Sequence, residues 1–315
     1  MNRIPLSLTV LGTLLGIAVQ TAPADAQATR TWVSGVGNDA NPCSRTAPCR
    51  TFAGAIPRTL AGGEINCLDP GGFGAVTITI SIAISCETEG GVLNAGTAGI
   101  VINTLATDKV FLNGLHINGG GTGTHGIRFL RAGALHVRNS TIRGATGNGI
   151  DFAPNGAGEL FVTDTYIAET GGAATTAGIS IVPTGTGSAR FLIDNSHLDN
   201  NVNGLRASGV GSTGGIRGIV RNSTASGNGG NGIATTSPGG AVISLFLERN
   251  AVGNNLNGIV SDGNQSFVNI SGNVVTANGT GIVTSNGGAI NSYTNNFIDG
   301  NTTVNGAPTG SLTPQ

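Results

Sequence analysis

The sequence predicts an all-β fold, a right-handed, three-sided parallel β-helix (solenoid) with a short N-terminal helical cap. Three observations predict it. A unit of similar length recurs along the chain, each copy contains short runs of alternating apolar and polar residues, and 54 glycines in 315 residues supply the turns between the runs. Regular apolar runs separated by turns are typical of coils whose aliphatic side chains stack in a common core.

The repeat is clearest in residues 135–152, LHVRNSTIRGATGNGIDF. An alternating run is followed by a bend at Asn139, an inward apolar residue at Ile142, a glycine turn and a second run from Ile150. A glycine that opens a strand before Ile or Leu recurs every 23 to 29 residues, at Gly99, Gly126, Gly149, Gly178, Gly204, Gly232, Gly258 and Gly281. This variation excludes a strict six-residue repeat. It is typical of coils in which three strands are joined by loops of variable length.

The chain divides into four segments. Residues 1–26 have Arg3, an apolar run and a small-residue cleavage site, which predict a signal peptide and hence an exported protein: secreted, periplasmic or at the cell surface. Residues 27–62 hold a weakly helical stretch around Pro57 and are expected to cap the open end of the stack. Residues 63–301 form the β-helix, and residues 302–315 form a loose polar tail.

The four cysteines fit an oxidising compartment. Cys43 and Cys49 flank a short loop and are expected to form a disulfide. Cys67 and Cys86 lie in matching contexts on what are predicted to be successive coils, about 4.8 Å apart. Parallel neighbouring strands are awkward for disulfide geometry, so a bond and two buried thiols both stay open.

Two sets of asparagines are expected to form ladders of hydrogen bonds between coils, because a bend residue in one coil meets its copy in the next. The first set occupies the bends: Asn139, Asp164, Asn195 and Asn222. The second set precedes the strand-opening glycines: Asn148, Asn203, Asn231 and Asn257.

A family resemblance follows from these residues. The segment TWVSGVGNDANPCSRTAPCRTFAGAI followed by GGEINCLDPGGFG resembles the N-terminal cap of pectin-lyase-like right-handed β-helix proteins, and GIRF, NGIDF and NGIVS resemble their coil repeats. The resemblance implies the fold but no single activity. The NTD, DD, GHG and RIK motifs of polygalacturonase-like enzymes and the RxPxxR motif of pectate lyases are absent. Whether the protein is an enzyme is therefore left open, with lyase or hydrolase chemistry as the candidates.

The composition limits the classes of partner that the protein can be expected to bind. A net charge of −1 with no basic cluster gives no electrostatic basis for binding nucleic acid. No stretch after the signal peptide is long and apolar enough to span a membrane. No cofactor is implied, and the cysteine and acidic spacings give no metal site.

One outward face gathers polar groups over three coils and is the candidate ligand face. Alignment on the inward residues of successive repeats places five side chains there: Arg143, Tyr166, Glu169, His197 and Asp199. A histidine beside carboxylates can act as an acid or base, and a tyrosine among polar groups can hold a sugar ring. The alternative interpretation is a solvated face with hydrogen bonds between coils.

A second column is apolar: Phe161, Leu192, Ile219 and Phe246. If it lies outside, it is an exposed stripe suited to self-association. If the register is shifted by one residue, it is core, and the sequence slightly favours core. Three functions follow: a glycan-associating or structural module, a polysaccharide-active enzyme with a groove along one sheet, or an adhesin-like self-assembling rod.

Overall fold

The computed structural model describes residues 27–313, so the predicted signal peptide at residues 1–26 lies outside the described part. The described chain winds into a three-sided parallel β-helix. Each coil adds one strand to each of three sheets in the same order along the chain, which we call sheet 1, sheet 2 and sheet 3. Strands are numbered in chain order.

Sheet 1 contains nine short parallel strands. They are β4 (Val76–Ile78), β6 (Ala98–Asn103), β8 (His125–Arg131), β11 (Ile150–Phe152), β14 (Ile179–Ile181), β17 (Leu205–Ser208), β20 (Asn231–Thr236), β23 (Asn257–Asp262) and β26 (Thr280–Ser285).

Sheet 2 follows it in each coil. Its strands are β1 (Ala28–Val33), β2 (Thr59–Cys67), β5 (Ile82–Leu93), β7 (Lys109–Asn118), β9 (Ala134–Arg138), β12 (Ala157–Thr163), β15 (Ser188–Asp194), β18 (Ile216–Arg221), β21 (Ile243–Glu248), β24 (Ser266–Ser271), β27 (Ala289–Ser292) and β29 (Gly310–Ser311).

Sheet 3 completes the coil. Its strands are β3 (Gly71–Gly72), β10 (Thr141–Arg143), β13 (Tyr166–Ala168), β16 (His197–Asp199), β19 (Thr224–Ser226), β22 (Ala251–Gly253), β25 (Val274–Thr276) and β28 (Phe297–Ile298). Because β5 and β7 run through the bend and pair on both sides of it, sheets 2 and 3 are hydrogen-bonded into one continuous array.

The core is a stack of equivalent side chains, as the repeat predicts. Ile127, Ile150, Ile179 and Leu205 pair in register on consecutive strands of sheet 1, and all are fully buried. Alternation along each strand sends every second residue inward, so burial of aliphatic groups recurs in every coil. Each buried group of this size stabilises the fold by about 1.5–3 kcal/mol.

The bend between sheets 2 and 3 requires a residue with positive φ, which Asn and Asp tolerate better than most side chains. Asn139, Asp164, Asn195 and Asn222 have φ of 46°, 50°, 46° and 51°. Their side chains are exposed and form separate pairs: Asn195 donates to Asp164, but Asn222 donates to Asp194 instead of Asn195. The continuous ladder predicted for these four residues is therefore wrong.

The buried ladder at this bend lies one residue further along. Side-chain oxygens at this position accept from a backbone N–H one coil earlier, as from Ser223 N to Asn250 Oδ1 at 3.1 Å, and the accepting residues are Ser140, Ser196, Ser223, Asn250, Asn273 and Asn296. Thr165 occupies the same position, but its hydroxyl donates to Thr163 O. This position is inside the corner, where water cannot reach the backbone. The backbone N–H groups there must therefore be hydrogen-bonded by polar side chains.

A second buried ladder lies at the turn from sheet 3 to sheet 1, and it runs through Asn201, Asn228, Asn255, Asn278 and Asn301. Of the second predicted set, Asn231 and Asn257 do form hydrogen bonds to the preceding member. Asn148 and Asn203 do not bond each other: Asn148 Oδ1 accepts from Ala177 N, and Asn148 Nδ2 donates to Asp151.

The N-terminal segment covers the first coil. Helix α1 (Phe52–Ala55) ends before Pro57 and is followed by a 3-10 turn, Ile56–Arg58, which contains this proline. Phe52 packs on Phe73 with ring centroids 5.1 Å apart. Burial alone would raise the pKa of Asp39, but hydrogen bonds from the backbone and side chain of Thr51 outweigh it and lower that pKa.

Both cysteine pairs form disulfides. Cys43 bonds Cys49 with Cα atoms 4.6 Å apart, and Cys67 bonds Cys86 with Cα atoms 4.8 Å apart. At the other end, residues 302–313 do not leave the solenoid as the loose tail expected from the sequence, because β29 pairs with β27 in sheet 2.

Candidate functional site

The five residues of the predicted ligand face belong to three consecutive strands of sheet 3 and the turn after the second. In β10, β13 and β16 the middle residue points into the core, so its neighbours point outward. Thr141, Tyr166 and His197 pair in register on the outside, and Arg143 aligns with Ala168 and Asp199. The structure therefore places Tyr166 and His197 side by side, with ring centroids 6.2 Å apart.

His197 and Asp199 are joined through a residue that the sequence did not point to. Thr224, on β19, donates its hydroxyl hydrogen to Asp199, with O–O distances of 2.9 and 3.0 Å. The same oxygen lies 2.9 Å from His197 Nδ1. A hydroxyl has one hydrogen, so Thr224 must accept from His197, and Nδ1 carries the proton. The neutral imidazole then has an unprotonated Nε2.

Asp199 is held by further contacts. Ser226 N donates to it at 2.8 Å, and His197 Nδ1 lies 3.7 Å from it. The arrangement is a hydrogen-bonded chain from a fixed carboxylate through a hydroxyl to an imidazole, which we call the His–Thr–Asp relay. Such a chain orients a histidine for accepting or donating a proton at Nε2.

Tyr166 separates two shallow depressions. One, of about 400 Å³, is lined by Tyr166 with His197, Asn139 and Asn195, and the other, of about 330 Å³, by Tyr166 with Arg143 and other residues. Tyr166 is 39% exposed. The ring thus stands between polar surfaces on both sides.

Arg143 and Glu169 complete the set. Arg143 is exposed and has no ion-pair partner within residues 27–313. Glu169 has φ of 55° and lies in the turn after β13, where its carbonyl accepts from Gly144 N. Glu169 and Asp199 line neither depression. The structure therefore brings together Arg143, Tyr166 and His197, while Asp199 acts through Thr224 and Glu169 lies apart.

The apolar column lies outside the solenoid, on sheet 2, so the core interpretation that the sequence slightly favoured is wrong. Phe161, Leu192, Ile219 and Phe246 pair in register on β12 to β21, and the residues on either side of each are buried. The core interpretation required a register shifted by one residue, which would reverse the face, and the structure does not have that shift.

Two further rings extend the column toward the N-terminus. The imidazole of His136 is stacked between Phe111 and Phe161, with centroid distances of 4.4 and 4.5 Å and interplanar angles of 12° and 10°. Burial is the largest cause that lowers the pKa of His136, and the positive charge of Lys109 lowers it further. Because the rings stack along the solenoid axis, they present their edges to solvent.

Sequence reasoning missed a groove that runs beside this column. The groove has a volume of about 540 Å³ and lies between the apolar column and an outward column that contains Glu159, Arg190 and Arg217. These three residues stand two positions before Phe161, Leu192 and Ile219. Alternation alone would have placed them on the same face, once the apolar column was known to point outward.

The described residues contain neither a metal-binding group nor a membrane-crossing helix. Within residues 27–313, no three His, Cys, Asp or Glu side chains cluster as a metal site would require. No helix in this range has the length and apolar character needed to traverse a bilayer.

Comparisons with known proteins bear on the fold. The family model described as "Right handed beta helix region" matches residues 125–303. Among solved structures, the pectate lyase Pel9A superposes with a TM-score of 0.65 at 16% identity, covering 85% of this chain and 75% of that one. A second structure, ORF18 of Geobacillus virus E2, has a TM-score of 0.48 at 12% identity, covering 89% of this chain and 60% of that one. No curated protein matches the sequence.

Proposed function

The chain belongs to the right-handed β-helix family, and on that premise we propose that it is an exported protein that associates with glycans through the outer face of sheet 3. The observation that carries the proposal is the position of Tyr166. The exposed ring stands between two depressions whose walls are hydrogen-bonding side chains.

A pyranose ring has an apolar C–H face and a rim of hydroxyl groups. The ring of Tyr166 can pack against the apolar face, while neighbouring side chains bond the hydroxyls. On one side these include Asn139, Asn195 and His197, and on the other Arg143. Hydrogen bonds from these side chains then replace the water that the sugar hydroxyls lose on binding, which a purely apolar surface could not do.

Export is supported by the two disulfides, since such bonds persist in oxidising compartments. One solved structure of the same fold is a pectate lyase, which makes acidic plant polysaccharides a ligand class to include in the screen. A purely structural role on the cell surface is the outcome if no glycan binds.

The test is a glycan array with the wild-type protein, followed by titration of the best ligand with Tyr166→Ala. We expect the substitution to weaken binding by about twofold to tenfold, because a stacking contact of this kind contributes about 0.5–1.5 kcal/mol. Tyr293→Ala is the matched control, since Tyr293 is the other of two tyrosines and packs edge-on against Phe246. Unchanged affinity in Tyr166→Ala would exclude this face as the binding site.

A second candidate function is favoured by the His–Thr–Asp relay. Because Nδ1 is engaged by Thr224 and the His197 side chain is half exposed, Nε2 is the ring nitrogen left to exchange a proton, as acid–base cleavage of a polysaccharide requires. A depolymerisation screen tests it directly. If a polymer is cleaved, Thr224→Val should reduce kcat with little change in KM, because it keeps the shape and removes the relay. If no polymer is cleaved, the enzyme proposal fails while glycan binding still stands.

The third candidate is self-association through Phe161, Leu192, Ile219 and Phe246, an outward-facing and partly exposed stripe suited to an interface. The charges on the same face disfavour a second copy as the occupant, because two such faces would each carry a formal charge of +2.

A further inference from the structure

The groove on sheet 2 has two chemically different walls. One wall is the apolar column, with Leu192, Ile219 and Phe246 in consecutive coils. The other carries Arg190 and Arg217, which pair in register on β15 and β18. Both walls follow the solenoid axis, so the groove is suited to an extended ligand that lies across several strands. Its volume of about 540 Å³ is in the range of small-molecule sites.

The floor and the apolar wall offer few hydrogen bonds. Strands β15 and β18 are each paired on both edges, so their backbone N–H and C=O groups are engaged within the sheet. A ligand rich in hydroxyl groups would leave those groups unpaired against this wall. A ligand that places methylene groups there would instead remove apolar surface from water on both sides.

The charged wall carries two arginines and one acid, because Glu159 aligns with Arg190 on the neighbouring strand, and this carboxylate forms no ion pair with either arginine in the described part of the chain. Neither Arg190 nor Arg217 has an ion-pair or hydrogen-bond partner for its side chain in the described part of the chain, although aligned like charges on neighbouring strands repel each other. Neighbouring strands are about 4.8 Å apart, so both guanidinium groups can reach a single anionic group placed between them.

The whole outer face of sheet 2 from β7 to β21 is positively charged, in a chain whose net charge is −1. Its outward columns contain five basic residues and three acidic residues: Lys109, Arg138, Arg190, Arg217 and Arg221 against Glu159, Asp194 and Glu248. Two copies packed face to face would bring two faces of formal charge +2 together. The occupant is therefore anionic, and a second copy is disfavoured.

We propose that this groove binds an anionic amphiphile, a molecule with an alkyl chain and a terminal carboxylate or comparable acidic head group. The head group lies between Arg190 and Arg217, and the chain lies along Leu192, Ile219 and Phe246. This site is on a different sheet from Tyr166 and does not depend on the glycan proposal.

The experiment is calorimetric titration of the mature protein with dodecanoate below its micellar concentration, beside two matched probes. Dodecyltrimethylammonium has the same chain with the opposite charge, and acetate has the head group without the chain. We expect binding of dodecanoate only. Equal binding of the cationic probe, or no binding of dodecanoate, would overturn the proposal.

Paired variants locate the site. Ile219→Asp should abolish binding. Val274→Asp on sheet 3 is the matched control and should leave binding unchanged, because the two side chains are similarly exposed, at 43% and 41%, and only Ile219 lines the groove. Arg190→Gln with Arg217→Gln should weaken binding by about tenfold or more, from the loss of charge-assisted hydrogen bonds. Arg131→Gln on sheet 1 with Arg45→Gln removes the same net charge away from sheet 2 and should have no effect.

Circular dichroism and melting curves establish that each variant folds, which exposed positions should allow. Dodecanoate binding that survives Ile219→Asp places the ligand elsewhere and overturns the assignment. Displacement of dodecanoate by polygalacturonate, or concentration-dependent dimers that Ile219→Asp abolishes, would show that a glycan or a second copy occupies the groove instead.

Discussion

Removing one rung of a buried asparagine ladder should cost a large fraction of the stability of this protein. Asn255 is 5% exposed. Its Oδ1 accepts from Asn228 N at 3.0 Å and from Asn228 Nδ2 at 2.9 Å. Its Nδ2 donates to Ala225 O and to Asn278 Oδ1, each at 2.9 Å. Asn255→Ala removes all four bonds and leaves Asn228 N buried without its partner.

The magnitude follows from those contacts. Each intramolecular hydrogen bond contributes about 1 kcal/mol net, and an orphaned buried amide costs about 1–3 kcal/mol. Asn278 Oδ1 loses the bond from Asn255 Nδ2 but still accepts from the backbone N of residue 255, so this oxygen stays hydrogen-bonded. We expect Asn255→Ala to lower the free energy of unfolding by about 3–5 kcal/mol.

The assay is urea denaturation followed by far-ultraviolet circular dichroism, with hydrogen exchange measured by mass spectrometry. Exchange is needed because repeat proteins can open coil by coil instead of all at once. The control is Asn254→Gly: Asn254 is exposed with φ of 56°, which glycine tolerates, and it makes one contact of 3.4 Å to Ser226. If both variants lose the same stability, the ladder does not hold the coils together.

Three further outcomes are expected. Burial lowers the pKa of His136 below its usual 6.5, so the folded state binds fewer protons than the unfolded state. The stability from this group is therefore complete above pH 6.5 and falls as the pH drops below it. His136→Phe should flatten the pH dependence of the melting temperature between about pH 7 and 5, and an unchanged slope would contradict this. Gly218→Ala should destabilise the fold by about 1–3 kcal/mol, because its Cβ would overlap the ring of Phe191, and Phe191→Leu should recover part of that loss in a double-mutant cycle. Arg221→Gln, which breaks a partly exposed ion pair of 2.8 Å with Asp194, should lower the denaturation midpoint only slightly, and less still in high salt.

Several features of the fold could be predicted because they depend on period alone. The alignment of Ile127 with Ile150 and Ile179 follows from the spacing of the glycines before them. The alignment of Tyr166 with His197 follows in the same way from the bends at Asp164 and Asn195. Neither requires knowledge of distances between sheets.

Other features depended on a shift of a single residue. The apolar column was outside and not core, and the buried ladder at the bend ran one residue after Asn139 and its equivalents. In a strand, adjacent residues face opposite ways, so periodicity fixes which residues share a column but leaves open which side that column faces. Thr224 was missed for a different reason: its role depends on a hydroxyl that lies within hydrogen-bonding distance of both His197 and Asp199.

The sequence by itself determined the stacking of the coils, the composition of the columns and the pairing of Cys43 with Cys49. The tertiary structure decided that Cys67 and Cys86 are bonded, that the His–Thr–Asp relay exists, and that two unpaired arginines stand across a groove from aliphatic side chains. The physical reason is that a repeat specifies contacts along the solenoid axis, where each coil packs on its copy. Ligand sites form across the axis, between residues whose distances depend on the geometry of corners and turns.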